Sequence, residues 1–129
     1  MLKLSVVTPE KRLLELDCEE VSLPGASGYI GILPGHAALL STLGTGEIGW
    51  RNGSKWSWGV VQGGFCEVGN DRVNVLADIA EEAGSIDVSA AKSAQAEAEE
   101  RMKTAGEEEL RRANAAVELN RARVSAASK

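Results

Sequence analysis

Apolar positions in the first two-thirds of the chain recur every second residue. Leu4 and Val6 alternate with Ser5 and Val7 until Pro9 ends the run, and Leu14-Glu15-Leu16 and Val21-Ser22-Leu23 repeat the pattern before Pro24-Gly25. Val73, Val75 and Ala77 alternate with Asn74, Leu76 and Asp78 after the turn Gly69-Asn70-Asp71. This is the spacing of strands with one buried face. The segments Glu47 to Arg51 and Ser54 to Val61 flank Asn52-Gly53, a pair that tolerates the φ > 0 of a type I′ hairpin turn. With Asn52-Gly53 as the loop, Gly49 falls opposite Trp56 and Glu47 opposite Trp58. Trp56, Trp58 and Val60 then share one face. Trp58 reads as sandwich core, with Gly49 making room for an indole; Trp56, nearer the turn, divides between core and an aromatic patch for a partner. Short strands separated by turn signals every ~8–12 residues predict an antiparallel sandwich or barrel.

The period changes after Gly84. The remaining segment has no proline and is rich in alanine, which favours helix. Asp87 is placed to cap the first turn, and Ala91, Ala94, Ala98, Met102 and Ala105 form a narrow stripe of small residues. A break at Thr104 to Gly106 separates it from a second helix opened by Glu107, Glu108 and Glu109 and closed by Arg121 and Arg123, a charge order that complements the helix macrodipole. The second stripe is Leu110, Ala113, Val117 and Val124, interrupted by Asn120. The predicted fold is therefore α+β: an N-terminal antiparallel β-sandwich (residues 1–84), followed by a C-terminal antiparallel two-helix hairpin (residues 85–129). An alanine seam buries little area at ~25 cal/mol per Å². The hairpin is thus expected to be weakly held, able to leave the sandwich or extend, against the plainer alternative of a hairpin that stays docked.

Charge sharpens this boundary. Of the net charge of −5, all lies before Ser85, where 11 acidic residues face 6 basic ones; the tail carries 8 of each. The acidic balance, with a pI near 4.9, disfavours nucleic acid as a partner. Cys18 and Cys66 fit no metal-ligand spacing and read as two buried free thiols, with a disulfide as the open alternative. The N-terminus shows no signal peptide, and no apolar run reaches the ~18 residues of a membrane span.

Catalytic chemistry finds little support. The sole histidine, His36, follows Pro34-Gly35 and has no visible nucleophile or orienting acid. There is no phosphate-cradling loop, and Gly63-Gly64, with no helix after it, reads as a strand bend where backbones come close. Glu97, Glu99 and Glu100 read as a solvated helix face. No catalytic, metal or cofactor site is expected.

Four segments carry a resemblance: Val6-Val7-Thr8-Pro9; Gly28-Tyr29-Ile30-Gly31-Ile32-Leu33-Pro34-Gly35-His36; Gly63-Gly64-Phe65-Cys66-Glu67-Val68; and Ala77 through Asp87. In this order and spacing the chain resembles the ε subunits of bacterial F-type ATP synthases over essentially its whole length. The resemblance implies a non-catalytic central-stalk subunit, peripheral on the cytoplasmic face of the bacterial inner membrane and joined to the membrane only through its complex. The sandwich would bind the γ subunit and the c ring, with Ser27, Gly28, Tyr29, Gly31 and His36 at that interface. The loop at Ala26 to Gly31 commonly carries acidic residues in the family; here Ser27 and Tyr29 stand instead. The hairpin would alternate between a compact form and an extended form that inhibits ATP hydrolysis through contacts with the catalytic α and β subunits. Arg111, Arg112, Arg121 and Arg123 are the basic side chains available for that contact, or else a solvated face.

Some family members bind ATP through an Ile-Asp-x-x-Arg-Ala motif. This chain reads Ile86-Asp87-Val88-Ser89-Ala90-Ala91. Glu81, Asp87 and Ala91 match nucleotide-binding positions, but Ala90 replaces the arginine and with it the strongest charge-assisted hydrogen bonds to phosphate. A free ATP-sensing module, closing sandwich and hairpin around a nucleotide, is the alternative function; an enzyme built on His36 is disfavoured.

Overall fold

Why the alternating segments become one bent sheet is visible in their pairing. A computed structural model describes residues 1–129. Its strands are β1 (Leu2–Val7), β2 (Arg12–Cys18), β3 (Glu20–Gly25), β4 (Gly28–Ile32), β5 (Leu39–Thr42), β6 (Thr45–Asn52), β7 (Lys55–Gly69) and β8 (Arg72–Glu82); a single 3₁₀ turn, Ala83–Ser85, leads to α1 (Val88–Met102) and α2 (Glu107–Ala127). The strand order is β2-β1-β8-β7-β6-β3-β4, with β5 paired to β7. All ladders are antiparallel except β1 with β8, which run parallel from Lys3 opposite Arg72 to Val7 opposite Leu76. The fold is the expected sandwich-like sheet followed by two helices.

The bend comes from Gly63-Gly64. Both glycines have positive φ, +69° and +96°, where a side chain is strained. A Cβ on Gly64 would strike the Leu76 carbonyl oxygen, and one on Gly63 the Asp78 carboxylate. This step reverses the alternation of β7. Val61 faces the core before it, and Cys66 and Val68 face the core after it. Across the ladder β8 switches too, from Val73, Val75 and Ala77 inward to Ala80 inward. One long strand thereby serves both layers, and 16 buried residues from all strands but β5 and their connections form a single core. Cys18 and Cys66 lie in it as free thiols, their pKa values raised chiefly by burial.

Gly28–Ile32 is an edge strand, with turns at Ala26-Ser27 before it and Pro34-Gly35 after it. One turn expectation is corrected. The β6–β7 loop is Gly53-Ser54, not Asn52-Gly53: Asn52 pairs with Lys55, and Gly53 alone has positive φ, +62°. That is the signature of a II′ turn. The register therefore slips by two residues, placing Gly49 opposite Trp58 and Arg51 opposite Trp56. The I′ geometry appears instead at Asn70-Asp71, where both residues have positive φ, 52° and 57°.

The helices follow the sequence closely. Asp87 caps α1, its Oδ1 accepting from the Ala90 N–H at 3.0 Å. The two helices pack on each other, with Ala91, Ala98, Ala113 and Val117 of the expected stripes buried; Leu110, expected in the second stripe, is exposed instead. Helix α2 continues to Ala127, so Arg121 and Arg123 lie before its last turn. A dipole contribution, which fades within one turn, is not their role. The hairpin is docked, α2 lying against β6 and β7.

Candidate functional site

The face beneath α2 is built on one cross-strand row. Val60 of β7 is paired with Glu47 of β6 on one side and Glu81 of β8 on the other. Because cross-strand partners share a face, a buried valine sits between two carboxylates. Both carboxylates are taken by α2 and the residues after it. Arg123 Nη2 donates to Glu81 Oε2 at 3.2 Å, while its Nε lies 3.0 Å from Oε1, off the hydrogen-bond axis. Lys129 Nζ stands 2.7 Å from Glu47 Oε2 and 3.9 Å above the centre of the Trp58 ring. Asn120 is buried within α2; its amide donates to the Ala116 carbonyl and its oxygen accepts from Arg123 Nη1 at 3.0 Å, which aims the guanidinium. One row along, Gln62 Nε2 donates both to Thr45 Oγ1 and to the Ala115 carbonyl of α2, each at 3.0 Å.

Apolar packing here is thin. Val60, Ile86, Ala91 and Ala126 form the buried cluster between sheet and hairpin. Trp58 is not sandwich core: it lies half-buried on this outer face, its ring over Gly49 and stacked on Trp56 with centroids 5.4 Å apart. The expected room for an indole at Gly49 is real, but the sandwich core takes Trp50 instead.

The residues named from the sequence fall in separate places. Ser27 is exposed at the β3–β4 turn. Tyr29 is 62% exposed, yet its hydroxyl accepts from the Glu47 N–H at 3.0 Å, tying it to β6 beside α2. Gly28, with φ +136°, begins β4, and Gly31 faces open space. His36 lies beyond the other end of β4; its Nδ1 is 2.7 Å from the Ala37 carbonyl, while Gly35 N–H donates to Asp71 Oδ1 at 2.7 Å. The structure does not bring His36 together with Ser27 and Tyr29.

Arg111 and Arg121 are exposed, and Arg112 pairs with Glu108 on the same helix. Arg123 turns inward to Glu81, so the four arginines form no common face in the docked form. The nucleotide positions are likewise committed to the fold. Glu81 holds Arg123, Asp87 caps α1, and Ala91 is fully buried under the hairpin. Sequence reasoning does not reach Lys129, Glu47, Trp58, Gln62 and Asn120 as site residues. Their signal is the pairing of distant positions, which only the sheet register supplies.

Elsewhere an apolar patch stands in the open. Phe65 of β7 pairs with Thr42 of β5 and Leu76 of β8, and Leu40 and Phe65 line one shallow hollow. Leu40, Phe65 and Leu76 are all exposed. No group of three acidic, histidine or cysteine side chains is placed to hold a metal ion, and no helix is long and apolar enough to cross a membrane.

The fold is thus a sandwich with a docked helical hairpin and an open apolar face. Residues 1–83 match the ATP synthase delta/epsilon chain β-sandwich domain, and residues 85–128 match the long α-helix domain of the same chain. The chain belongs to the ATP synthase epsilon chain family and is a non-catalytic subunit of an F-type ATP synthase. It is 42% identical to the ATP synthase epsilon chain of Myxococcus xanthus over 98% of this chain and 95% of that one. It is 43% identical to that of Desulforamulus reducens, covering 97% and 96%. In fold it is similar to a chain of the Euglena gracilis mitochondrial ATP synthase, in a structure of OSCP, F1 and the c-ring, with a TM-score of 0.85 at 21% identity, covering 99% of this chain and 81% of that one. A chain in the Tetrahymena thermophila central stalk and c-ring structure matches at a TM-score of 0.64 and 15% identity, over 98% and 96%.

Proposed function

We propose that this subunit joins γ to the c ring of a proton- or sodium-translocating ATP synthase on the cytoplasmic face of the bacterial membrane. In this reading residues 1–84 bind the rotor and residues 85–129 form a regulatory hairpin. The observation that carries it is the open row of Leu40, Phe65 and Leu76 on the layer away from α2. Contiguous exposed apolar surface marks a protein interface in a soluble fold, and the hairpin leaves this face free. We assign the row to γ and the β3–β4 turn, with Ser27 and Tyr29, to the c ring. The hairpin in the compact form leaves catalysis unhindered; extended, it offers Arg111, Arg112, Arg121 and Arg123 to acidic segments of the catalytic subunits.

Two measurements test this. Phe65→Glu in the full chain is expected to weaken co-purification with γ at least tenfold while the fold, read by circular dichroism, stays intact; unchanged recovery would remove the γ assignment. A chain ending at Gly84 should still join the complex, and the assembled enzyme should hydrolyse ATP faster. An unchanged hydrolysis rate would mean that the hairpin does not inhibit.

A further inference from the structure

The hairpin meets the sheet through a small apolar cluster and two ion pairs, and the two ion pairs share one row of the sheet. We infer that Glu81–Arg123 and Glu47–Lys129 form a two-point ionic latch that sets how often the hairpin leaves the sheet. Both carboxylates belong to the single row through Val60. That row offers one buried aliphatic side chain to the helix; the fully covered facing residues Ala91 and Ala126 are small, and Leu119 and Val124 are only partly buried around them. Neither pair is a freely solvated surface contact. The Arg123 and Glu81 side chains are 22% and 27% exposed; Glu47 is 12% exposed and its partner Lys129 37%. Such pairs lie between exposed ones, worth little, and buried ones, whose disruption is costly.

The geometry gives each cation a second hold. Asn120 Oδ1 fixes the Arg123 guanidinium at 3.0 Å, and the Trp58 ring receives the Lys129 ammonium on its face. A cation over an aromatic face is attracted to it while still able to bind a carboxylate. Glu47 keeps Oε1 buried without a partner, so loss of Lys129 would leave a whole carboxylate unpaired in a nearly closed site. That penalty falls on the docked state of such a variant, because an open hairpin hydrates all four charged groups.

Such a latch differs from a leucine seam in one respect. Apolar area holds in any salt, whereas ion pairs loosen as salt screens them and can be exchanged for another carboxylate. The docked fraction therefore becomes tunable without any change in the sandwich. This inference concerns docking alone and stands whether or not the released hairpin inhibits hydrolysis.

The test is backbone hydrogen exchange in the full chain, at low and at molar salt. Lys129→Gln and Glu81→Gln are each expected to raise the opening equilibrium of α2 about tenfold, the change that accompanies about 1.4 kcal/mol, with sandwich amides unchanged. Molar salt should open the native hairpin and have little further effect on the chain carrying both Lys129→Gln and Glu81→Gln. The exchange of charges, Glu81→Arg with Arg123→Glu, should recover part of the protection that either substitution alone removes. Unchanged α2 exchange in Lys129→Gln, a surface substitution that leaves the core intact, together with insensitivity to salt, overturns the latch. So does a charge exchange no better protected than its single substitutions, since that outcome assigns docking to packing.

Discussion

The sandwich and the hairpin are held together by different physics. The sandwich encloses one contiguous core whose largest members, Leu2, Leu4, Leu23 and Ile32, are essentially free of solvent. The hairpin meets it through a cluster of Val60, Ile86, Ala91 and Ala126, with Leu119, Ala122 and Val124 partly buried around it, and through Arg123, Lys129 and Gln62. Burial free energy scales with apolar area, at ~25 cal/mol per Å², so apolar burial stabilises the sandwich far more than it stabilises docking. On this basis opening of the hairpin and unfolding of the sandwich are expected to be separate events. The function proposed above, a sandwich that keeps its partners while the hairpin moves, requires that separation.

The largest effect is expected from weakening the sandwich core. Leu4→Ala empties a fully buried site in β1. Such a cavity costs about 3 kcal/mol. Urea unfolding should show the sandwich midpoint falling, while the opening equilibrium of α2, read by hydrogen exchange without denaturant, stays unchanged. If α2 opening rose along with the fall of the sandwich midpoint, the two modules would share a core and the distinction would fail.

A smaller but still global effect is expected at the bend. Gly64→Ala places a methyl group against the Leu76 carbonyl at a φ of +96°. The strain and the shift of β8 should destabilise the sandwich by about 2 kcal/mol, read as a lower thermal midpoint. Gly31→Ala is the control. Gly31 has open space around its Cβ position, and the substitution should leave the midpoint nearly unchanged. Equal effects at the two glycines would mean that the face reversal of β7 does not depend on Gly63-Gly64.

Much of the fold is legible in sequence where the information is local. The cap at Asp87, the break before Gly106, the bend at Gly63-Gly64 and the inward row of Val73, Val75 and Ala77 each depend on residues within a few positions. The β6–β7 turn is ambiguous in sequence because both Asn52-Gly53 and Gly53-Ser54 satisfy a two-residue hairpin. Pairing further along the strands favours the second: Gly49 admits the Trp58 ring, and Arg51 reaches Glu19 and Glu20 on its other side. The hydrogen bonds that Arg51 donates to Glu20 and Glu19 raise its pKa, with burial opposing them. The latch is illegible for a stronger reason. Glu81 and Arg123 are 42 positions apart, and Glu47 joins them only after the register of three strands is known. The Asn52-Gly53 turn would set Glu47 against Trp58 instead of Val60. The c-ring, inhibitory and nucleotide residues rest on family resemblance; His36 lies away from Ser27 and Tyr29, and Glu81 is spent on an internal ion pair.

The smallest expected effect asks whether the hairpin can be loosened without touching the sheet. Asp87→Ala removes the carboxylate that accepts from the Ala90 N–H at the start of α1. Loss of a cap costs about 1 kcal/mol, and here the cost falls on one helix end. Ile86, just before the cap, packs with Val60 and Ala91, so fraying of α1 should reach the docking cluster. Hydrogen exchange is expected to speed up at Ser89 through Ala91 and, more weakly, along α2, while the amides of β7 and β8 keep their protection. Asp87→Asn retains a capping oxygen and should behave nearly as the native chain does, which separates capping from charge. If Asp87→Ala also loosened β7 and β8, the boundary after Gly84 would not divide two mechanical units. If it changed nothing at α2, the two helices would open independently and the latch, rather than the helix pair, would be the element that moves.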